Sequence, residues 1–295
     1  MFKILSIDGG GFRGVYAAHI LKRIEETYGV SWTTDFDMIT GTSTGSIIAA
    51  GLVCGMSAKE IADKYKTIGK IVFKKKFSFR LWGIGDLLSL LYSPYNANIL
   101  EKELNNVFGN KKLGDYKFPL LIPATDIANG SVYVFKSQYN EEFVRDKDIL
   151  VADAVLASCS APAFFDPQQV GNYLLADGGL WANNPILVAA AEAKRRFNQP
   201  LENLRILSLG TGESRLSYSM KPSRSGWGFL TRWKNKQLIE MILNLQMQSA
   251  KNILNLLLYN EKTDKDLQVL RLTETDMKES MDDPTLLQQL VTRAD

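Results

Sequence analysis

The chain is predicted to fold as an α/β protein, with a central, mainly parallel sheet flanked by helices and a helical C-terminal cover. Three observations carry that expectation. Short apolar runs alternate with helical patterns as far as Gly212. Three of those runs end abruptly in small-residue turns: Asp8-Gly9-Gly10-Gly11, Gly41-Thr42-Ser43-Thr44-Gly45 and Asp177-Gly178-Gly179. Beyond Gly212 the apolar periodicity is mostly helical.

In order, Lys3–Asp8 reads as a strand that breaks into glycines, and Val15–Tyr28 as the helix behind them. Phe36–Thr40 is a short strand running into Gly41–Gly45, followed by a small-residue helix to about Cys54 and another from about Ala58 to Ile68. Asn98–Val107 is helical. Phe118–Thr125 and Ser131–Lys136 are adjacent strands joined by Asn129-Gly130, a hairpin turn signal. Ile149–Ala157 is a helix and Tyr173–Asp177 a strand. Asn184-Pro185 opens a helix to Phe197, with Asn184 as N-cap and Pro185 at the first helical position. Leu204–Leu209 is a strand ending in Gly210-Thr211-Gly212. The tail carries a helix over Asn235–Tyr259, a strand at Leu267–Leu272 and a last helix near Pro284–Arg293. No repeat or low-complexity linker intervenes. Residues 1–212 are therefore expected to form the core, with 213–295 a mostly helical extension packed on the same domain.

With 295 residues, 45% of them hydrophobic and 23% charged, the chain has the composition of a soluble globular protein with a full core. A net charge of +3 gives no argument for a nucleic-acid polymer as partner. The two cysteines, Cys54 and Cys159, have no metal or disulfide spacing and read as reduced, buried packing residues of a cytosolic protein. The N-terminal apolar run meets Asp8 too soon for a signal peptide, and Ile47–Cys54, the longest apolar stretch, is far short of a span. Any membrane contact is thus expected to be peripheral. The single histidine, His19, sits inside the first helix as a structural residue. A serine–histidine–carboxylate triad and a histidine-based zinc site both lack their ligands.

Adjacent glycines at the start of a helix converge their N–H groups on an anion, either a phosphate or the oxyanion of an acyl transfer. Gly9-x-Gly11-x-x-Gly14 satisfies the dinucleotide fingerprint in form, with Asp35 and Asp37 near the required spacing. Those acids precede their strand, however, whereas a ribose-binding acid should end it. A Walker loop is excluded because no Lys-Ser/Thr pair follows the glycines. Gly41-Thr42-Ser43-Thr44-Gly45 matches Gly-x-Ser-x-Gly, a sharp strand-to-helix turn that projects the serine hydroxyl over the positive end of a helix. A serine needs a base. With histidine effectively absent the best candidate is Asp177, which reads as the carboxyl end of a strand on the same face. Aspartate titrates near 3.9 in water, so it would need a desolvated setting. The bland alternatives are a tight turn at Ser43 and a turn-capping role for Asp177. Three strand ends that offer amides, a hydroxyl and a carboxylate favour catalysis.

With these three motifs in register, the chain resembles the patatin-like lipid acyl hydrolases, relatives of the cytosolic phospholipases A. Asp8–Gly14 is similar to their oxyanion loop, Gly41–Gly45 to their nucleophile elbow and Asp177-Gly178-Gly179 to their dyad motif. Ala157–Pro162, Asn183-Asn184-Pro185 and Leu207–Gly212 support the same register. The resemblance implies a three-layer patatin-like fold and phospholipid ester hydrolysis by a Ser43–Asp177 dyad. It also implies an oxyanion hole of Gly10 and Gly11 with Gly9 and Thr44, and no metal or cofactor. Gly41, Gly45, Gly178, Gly179 and Arg13 would support this machinery, Arg13 by orienting the loop, meeting a head group or forming a structural ion pair. Some bacterial members are effectors that cyclic nucleotides switch on to degrade the host's own membrane in anti-phage defence. The resemblance extends to a cyclic-nucleotide activator here, with a constitutive lipid esterase as the alternative. An oxidoreductase and a silent lipid-binding protein are the other classes.

Two surface segments stand out. Phe73, Lys74, Lys75, Lys76, Phe77, Phe79 and Trp82 interleave cations with aromatics, as an anionic bilayer surface or a solvated basic edge would require. Arg224–Trp233 mixes arginine, tryptophan and glycine and reads as a lid, a contact in a homo-oligomer or an effector site. The expected location is the cytoplasm, peripheral to the inner face of the membrane.

Overall fold

Alternation along the first strand, β1 (Phe2–Ile7), sets the layering. A computed structural model describes residues 1–72, 97–162, 164–212, 235–258, 268–275 and 287–295. Strands β2 (Met38–Gly41), β3 (Leu120–Asp126), β4 (Ser131–Lys136), β5 (Gln168–Val170), β6 (Tyr173–Asp177), β7 (Leu204–Leu209) and β8 (Val269–Leu272) complete the sheet. The helices are α1 (Gly14–Tyr28), α2 (Trp32–Asp35), α3 (Thr44–Val53), α4 (Ala58–Val72), α5 (Ala97–Phe108), α6 (Val151–Cys159), α7 (Gly179–Ala182), α8 (Ile186–Arg196), α9 (Asn235–Leu258) and α10 (Leu287–Ala294). Leu5 and Ile7 pack with Ile39 and Ile122 against the first core, built on α1 and α3 to α6. Phe2 and Ile4 face the other way, packing with Met38 and Ile206 against α8 and α9. The result is three layers, helix on sheet on helix.

Strand order is β5-β6-β3-β2-β1-β7-β8, with β4 paired to β3 off this path. Strands β3, β2, β1, β7 and β8 run parallel. The C-terminal residues therefore add an edge strand to the sheet, and α10 packs on α1 with Leu290 in the core.

The edge of β3 opposite β4 is shared by two strands. Its beginning pairs with β2, Leu121 opposite Thr40, and its end pairs with β6, Ala124 opposite Asp177. Strand β6 is antiparallel to β3, so the carboxyl ends of β2 and β6 point at each other along one edge. Pro123 occupies the level between them. Its carbonyl accepts the Ser158 hydroxyl at 2.6 Å, so the edge where its N–H would be needed carries no ladder bond.

Several boundaries differ from the sequence expectation. The second strand continues through Gly41, opposite Ile7. Helix α8 begins at Ile186, one residue later than predicted, because the Asn184 side chain accepts the Ile186 N–H at 3.1 Å across Pro185. Strand β5 and helices α2 and α7 were not legible in advance. Cys54 is half-buried, whereas Cys159 is fully buried as expected.

Candidate active site

Ser43 joins β2 to α3 at φ +53° and ψ −127°, a conformation L-residues adopt only when held there. Four hydrogen bonds involving side chains hold this turn. The Ser43 N–H donates to Ser158 Oγ at 3.0 Å, and Ser158 in turn to Pro123. Ser46 Oγ donates to the Ser43 carbonyl and Thr42 Oγ1 to the Ala182 carbonyl, both at 2.6 Å. The flanking glycines are needed for close approach. A Cβ at Gly41 would collide with the Gly45 carbonyl, and one at Gly45 with the Ile7 carbonyl at the end of β1.

Ser43 Oγ donates to Asp177 Oδ2 at 2.6 Å, and the Gly179 N–H donates to Asp177 Oδ1 at 2.6 Å. Asp177 is 5% exposed and Ser43 9%. Burial pushes the Asp177 carboxyl up to about 6, while the Ser43 and Gly179 donors pull the other way. The sequence places Asp177 at the carboxyl end of a parallel strand. It arrives instead on an antiparallel one, and meets Ser43 because β2 and β6 converge along β3. Gly178 packs so tightly on β3 that a Cβ would strike the Pro123 carbonyl. Burial and the Asp177 charge push the neighbouring Cys159 thiol up, which keeps it protonated and unreactive.

In the glycine loop, the Asp8 N–H donates to the Leu209 carbonyl at 2.9 Å. The Gly9 N–H donates to the Asn183 carbonyl at 2.9 Å, and Thr211 Oγ1 donates to the Gly9 carbonyl at 2.7 Å. Gly9 is therefore removed from the expected set of free amide donors, and it does not line the cavity. Gly10 takes a place where a Cβ would collide with Thr211. Gly11, at φ +58°, opens the turn into α1, and its carbonyl accepts the Tyr65 hydroxyl at 2.7 Å. Among the described residues, no backbone carbonyl takes the Gly10 or Gly11 N–H. Arg13, at the end of the loop, is 1% exposed, which excludes the head-group contact. Behind the loop, Arg271 Nη2 pairs with Asp8 Oδ2 at 2.7 Å, and Arg271 Nη1 donates to Ser208 Oγ at 2.8 Å.

Asn183 is the support that sequence reasoning missed. Besides holding Gly9, it donates its own N–H to Gln246 Oε1 at 2.8 Å and its Nδ2 to Met247 Sδ at 3.0 Å, both on α9. The Asn-Asn-Pro motif was visible, but nothing local tied it to Gly9, 174 residues away.

Gly10, Gly11, Ser43, Thr44, Asp177 and Gly179 all border one cavity. Its walls are hydrocarbon: Ile61, Ile68 and Val72 from the inner face of α4, Leu100 and Leu104 from α5, and Ile47 from α3. The remaining candidates lie elsewhere. His19 is buried on α1 with Nε2 3.1 Å from Asp295 Oδ1. Asp37 accepts the Lys3 N–H at 2.7 Å and Asp35 the Ser31 N–H at 2.8 Å, ahead of β2 and away from the glycine loop. The Phe73–Trp82 and Arg224–Trp233 segments fall outside the described residues.

A largely apolar trough bordered by Ser43, Asp177 and the glycine loop suits an ester of a long hydrocarbon acid, and the class that fold and cleft define is a lipid hydrolase. The chain belongs to the patatin-like phospholipase family, whose model matches residues 5–190. It is 32% identical over 274 residues to a cGAMP-activated phospholipase of Escherichia coli (strain TW11681), covering 85% of this chain and 74% of that one. A cGAMP-activated phospholipase of Vibrio cholerae serotype O1 is 34% identical over 252 residues, covering 78% and 70%. A cUMP-AMP-activated phospholipase of Escherichia coli is 28% identical over 289 residues, covering 92% and 81%.

Proposed function

We propose that this chain hydrolyses fatty-acyl esters of membrane phospholipids through Ser43 and Asp177, and that a cyclic nucleotide activates it. The observation that carries the chemistry is the 2.6 Å bond from Ser43 Oγ to the buried Asp177 carboxylate, both bordering the largely apolar cavity. Ser43 Oγ attacks the acyl carbonyl as Asp177 accepts its proton. The oxyanion that forms receives N–H bonds from Gly10 and Gly11, with Thr44 at the start of α3 as a further donor; each such donor is worth about 10²–10³ in rate. Collapse of the intermediate passes the Asp177 proton to the leaving lipid oxygen and leaves an acyl-Ser43. Water attacks that ester, Asp177 takes the water proton, and the fatty acid departs as Ser43 is re-protonated. The protein would meet its substrate from the cytoplasmic side, at the membrane surface. No helix among the described residues is long and apolar enough to cross a membrane.

Activation is supported by the relatives, two of them cGAMP-activated and one cUMP-AMP-activated. Mass spectrometry of products from mixed natural lipids, with and without a panel of cyclic di- and trinucleotides, tests both halves. Free fatty acid and lysophospholipid should appear with one nucleotide and be absent from the Ser43→Ala protein. Release that no nucleotide alters would leave a constitutive lipid esterase.

Asp177 must be ionised to accept the proton, and burial pushes its carboxyl up to about 6. The expected kcat/KM rises about tenfold per pH unit below that value and levels off above it. His19→Gln should leave the profile unchanged, since His19 is bonded to Asp295 rather than lining the cavity. A profile that stays flat through this range would remove Asp177 as the base.

A further inference from the structure

The glycine loop is anchored by a strand that lies outside residues 5–190, the span matched by the family model. Strand β8 pairs with β7 so that Arg271 stands opposite Ser208, and Ser208 stands opposite Ser6 on β1. From there the Arg271 side chain reaches past β7 to the end of β1, two strands and about 10 Å away. Its guanidinium bridges both strands: Nη1 donates to Ser208 Oγ at 2.8 Å and Nη2 to Asp8 Oδ2 at 2.7 Å. Gly210 keeps this path open, since a Cβ there would lie 3.1 Å from Arg271 Nη2 and collide with Thr273. The Asp8 side chain is fully buried and that of Arg271 is 8% exposed. Removing one partner of so buried an ion pair is far costlier than the pair is worth.

Asp8 leads directly into the three loop glycines. Its N–H is bonded to the Leu209 carbonyl and its carboxylate to Arg271, so backbone and side chain together fix where Gly10 and Gly11 begin. We propose that Arg271 is a positioning residue for catalysis, acting through Asp8 to hold the Gly10 and Gly11 amides at the oxyanion. Its charge also offsets that of a carboxylate two residues from those amides, where negative charge opposes an oxyanion. Lysine cannot take its place, because a single ammonium lacks the rigid fork that holds Ser208 and Asp8 at once. This inference rests on the acyl-hydrolase reading above and assigns the support of its oxyanion hole.

The test uses the full chain with Arg271→Gln, Arg271→Lys, Asp8→Asn and the Asp8→Asn/Arg271→Gln pair, with the activating nucleotide present where one is found. Turnover is read on soluble p-nitrophenyl butyrate and on phospholipid vesicles. Calorimetry compares octyl trifluoromethyl ketone with the matching carbinol. Ser43 Oγ adds to the ketone carbon, Asp177 takes the hydroxyl proton, and the ketone oxygen becomes the O⁻ that the hole must hold. The carbinol fills the same cavity without forming that charge. Arg271→Gln should lower kcat and ketone affinity together by about 100-fold, with carbinol affinity unchanged. Arg271→Lys, which keeps the buried charge, should fall between this variant and wild type. In the Asp8→Asn background Arg271→Gln should cost much less, because its partner is already lost. Unchanged kcat in Arg271→Gln would overturn the proposal. So would an equal loss of carbinol affinity, the mark of a collapsed site, or full multiplication of the two losses in the double variant. Wild type binding the ketone no tighter than the carbinol would remove the hole and this proposal with it. If wild type cleaves the soluble ester but no phospholipid, the phospholipid reading fails and the role of Arg271 is still decided on the ester and the ketone.

Discussion

Asp177→Asn is expected to lower kcat by at least about 10⁴-fold, and Ser43→Ala by a comparable factor, in an assay of fatty-acid release. The asparagine keeps the shape and an oxygen for the Gly179 N–H, but it cannot take the Ser43 proton. The same substitution should make the protein more stable at neutral pH. In the folded chain the Asp177 carboxyl is raised from an ordinary 3.8 to about 6, so the folded state holds its proton more tightly than the unfolded state. Stability is therefore lost as pH rises through the interval between those values, and the loss, roughly 3 kcal/mol for a two-unit shift, persists above it. Thermal melts of wild type and Asp177→Asn should coincide below the ordinary carboxyl value of 3.8, diverge as pH rises to about 6 and stay apart above it, with the variant melting higher. Turnover by the variant within about 100-fold of wild type, or a variant that melts lower at neutral pH, would contradict this assignment.

Gly45→Ala is the second large effect. The added Cβ would meet the Ile7 carbonyl and lie 2.7 Å from the Asp8 carbonyl, both backbone atoms with no flexible side chain to yield. Helix α3 must then back away from the end of β1, the strand that carries the glycine loop. Overpacking of this kind costs about 1–3 kcal/mol. The rate loss should be larger, about 100-fold for a displacement near 1 Å, because Ser43 rides on α3 while Gly10 and Gly11 ride on β1. A melt and a turnover assay on one preparation separate the two effects. Wild-type activity in the folded variant would mean that this contact does not set the register between nucleophile and loop.

Much of this site could be read in advance because its motifs are local. Each of Gly9–Gly14, Gly41–Gly45 and Asp177–Gly179 announces a strand end by its own composition. The direction of β6 could not be read, because apolar alternation is the same for parallel and antiparallel strands. The clue lay in β5, only three residues long, with Gln168 and Gln169 hiding its pairing and Gly171 at φ +57° closing the hairpin. The role of Gly9 was hidden for a different reason. Nothing in a run of three glycines says which N–H is already bonded, and the acceptor, Asn183, belongs to a distant turn. The Asp8–Arg271 pair, 263 residues apart, is equally invisible locally.

The opposed strands β2 and β6 turn β3 into a ruler. Thr40 stands opposite Leu121 and Asp177 opposite Ala124, so the reach from hydroxyl to carboxylate is measured along three consecutive steps of a single neighbouring backbone. Each step is about 3.3 Å, longer than the hydrogen bond it helps to position. Inserting or deleting one residue between those two markers would pull the pair apart or drive them together, and no side-chain adjustment at either end could restore the spacing. The most sensitive dimension of this enzyme is therefore kept by a stretch of chain that takes no part in its chemistry.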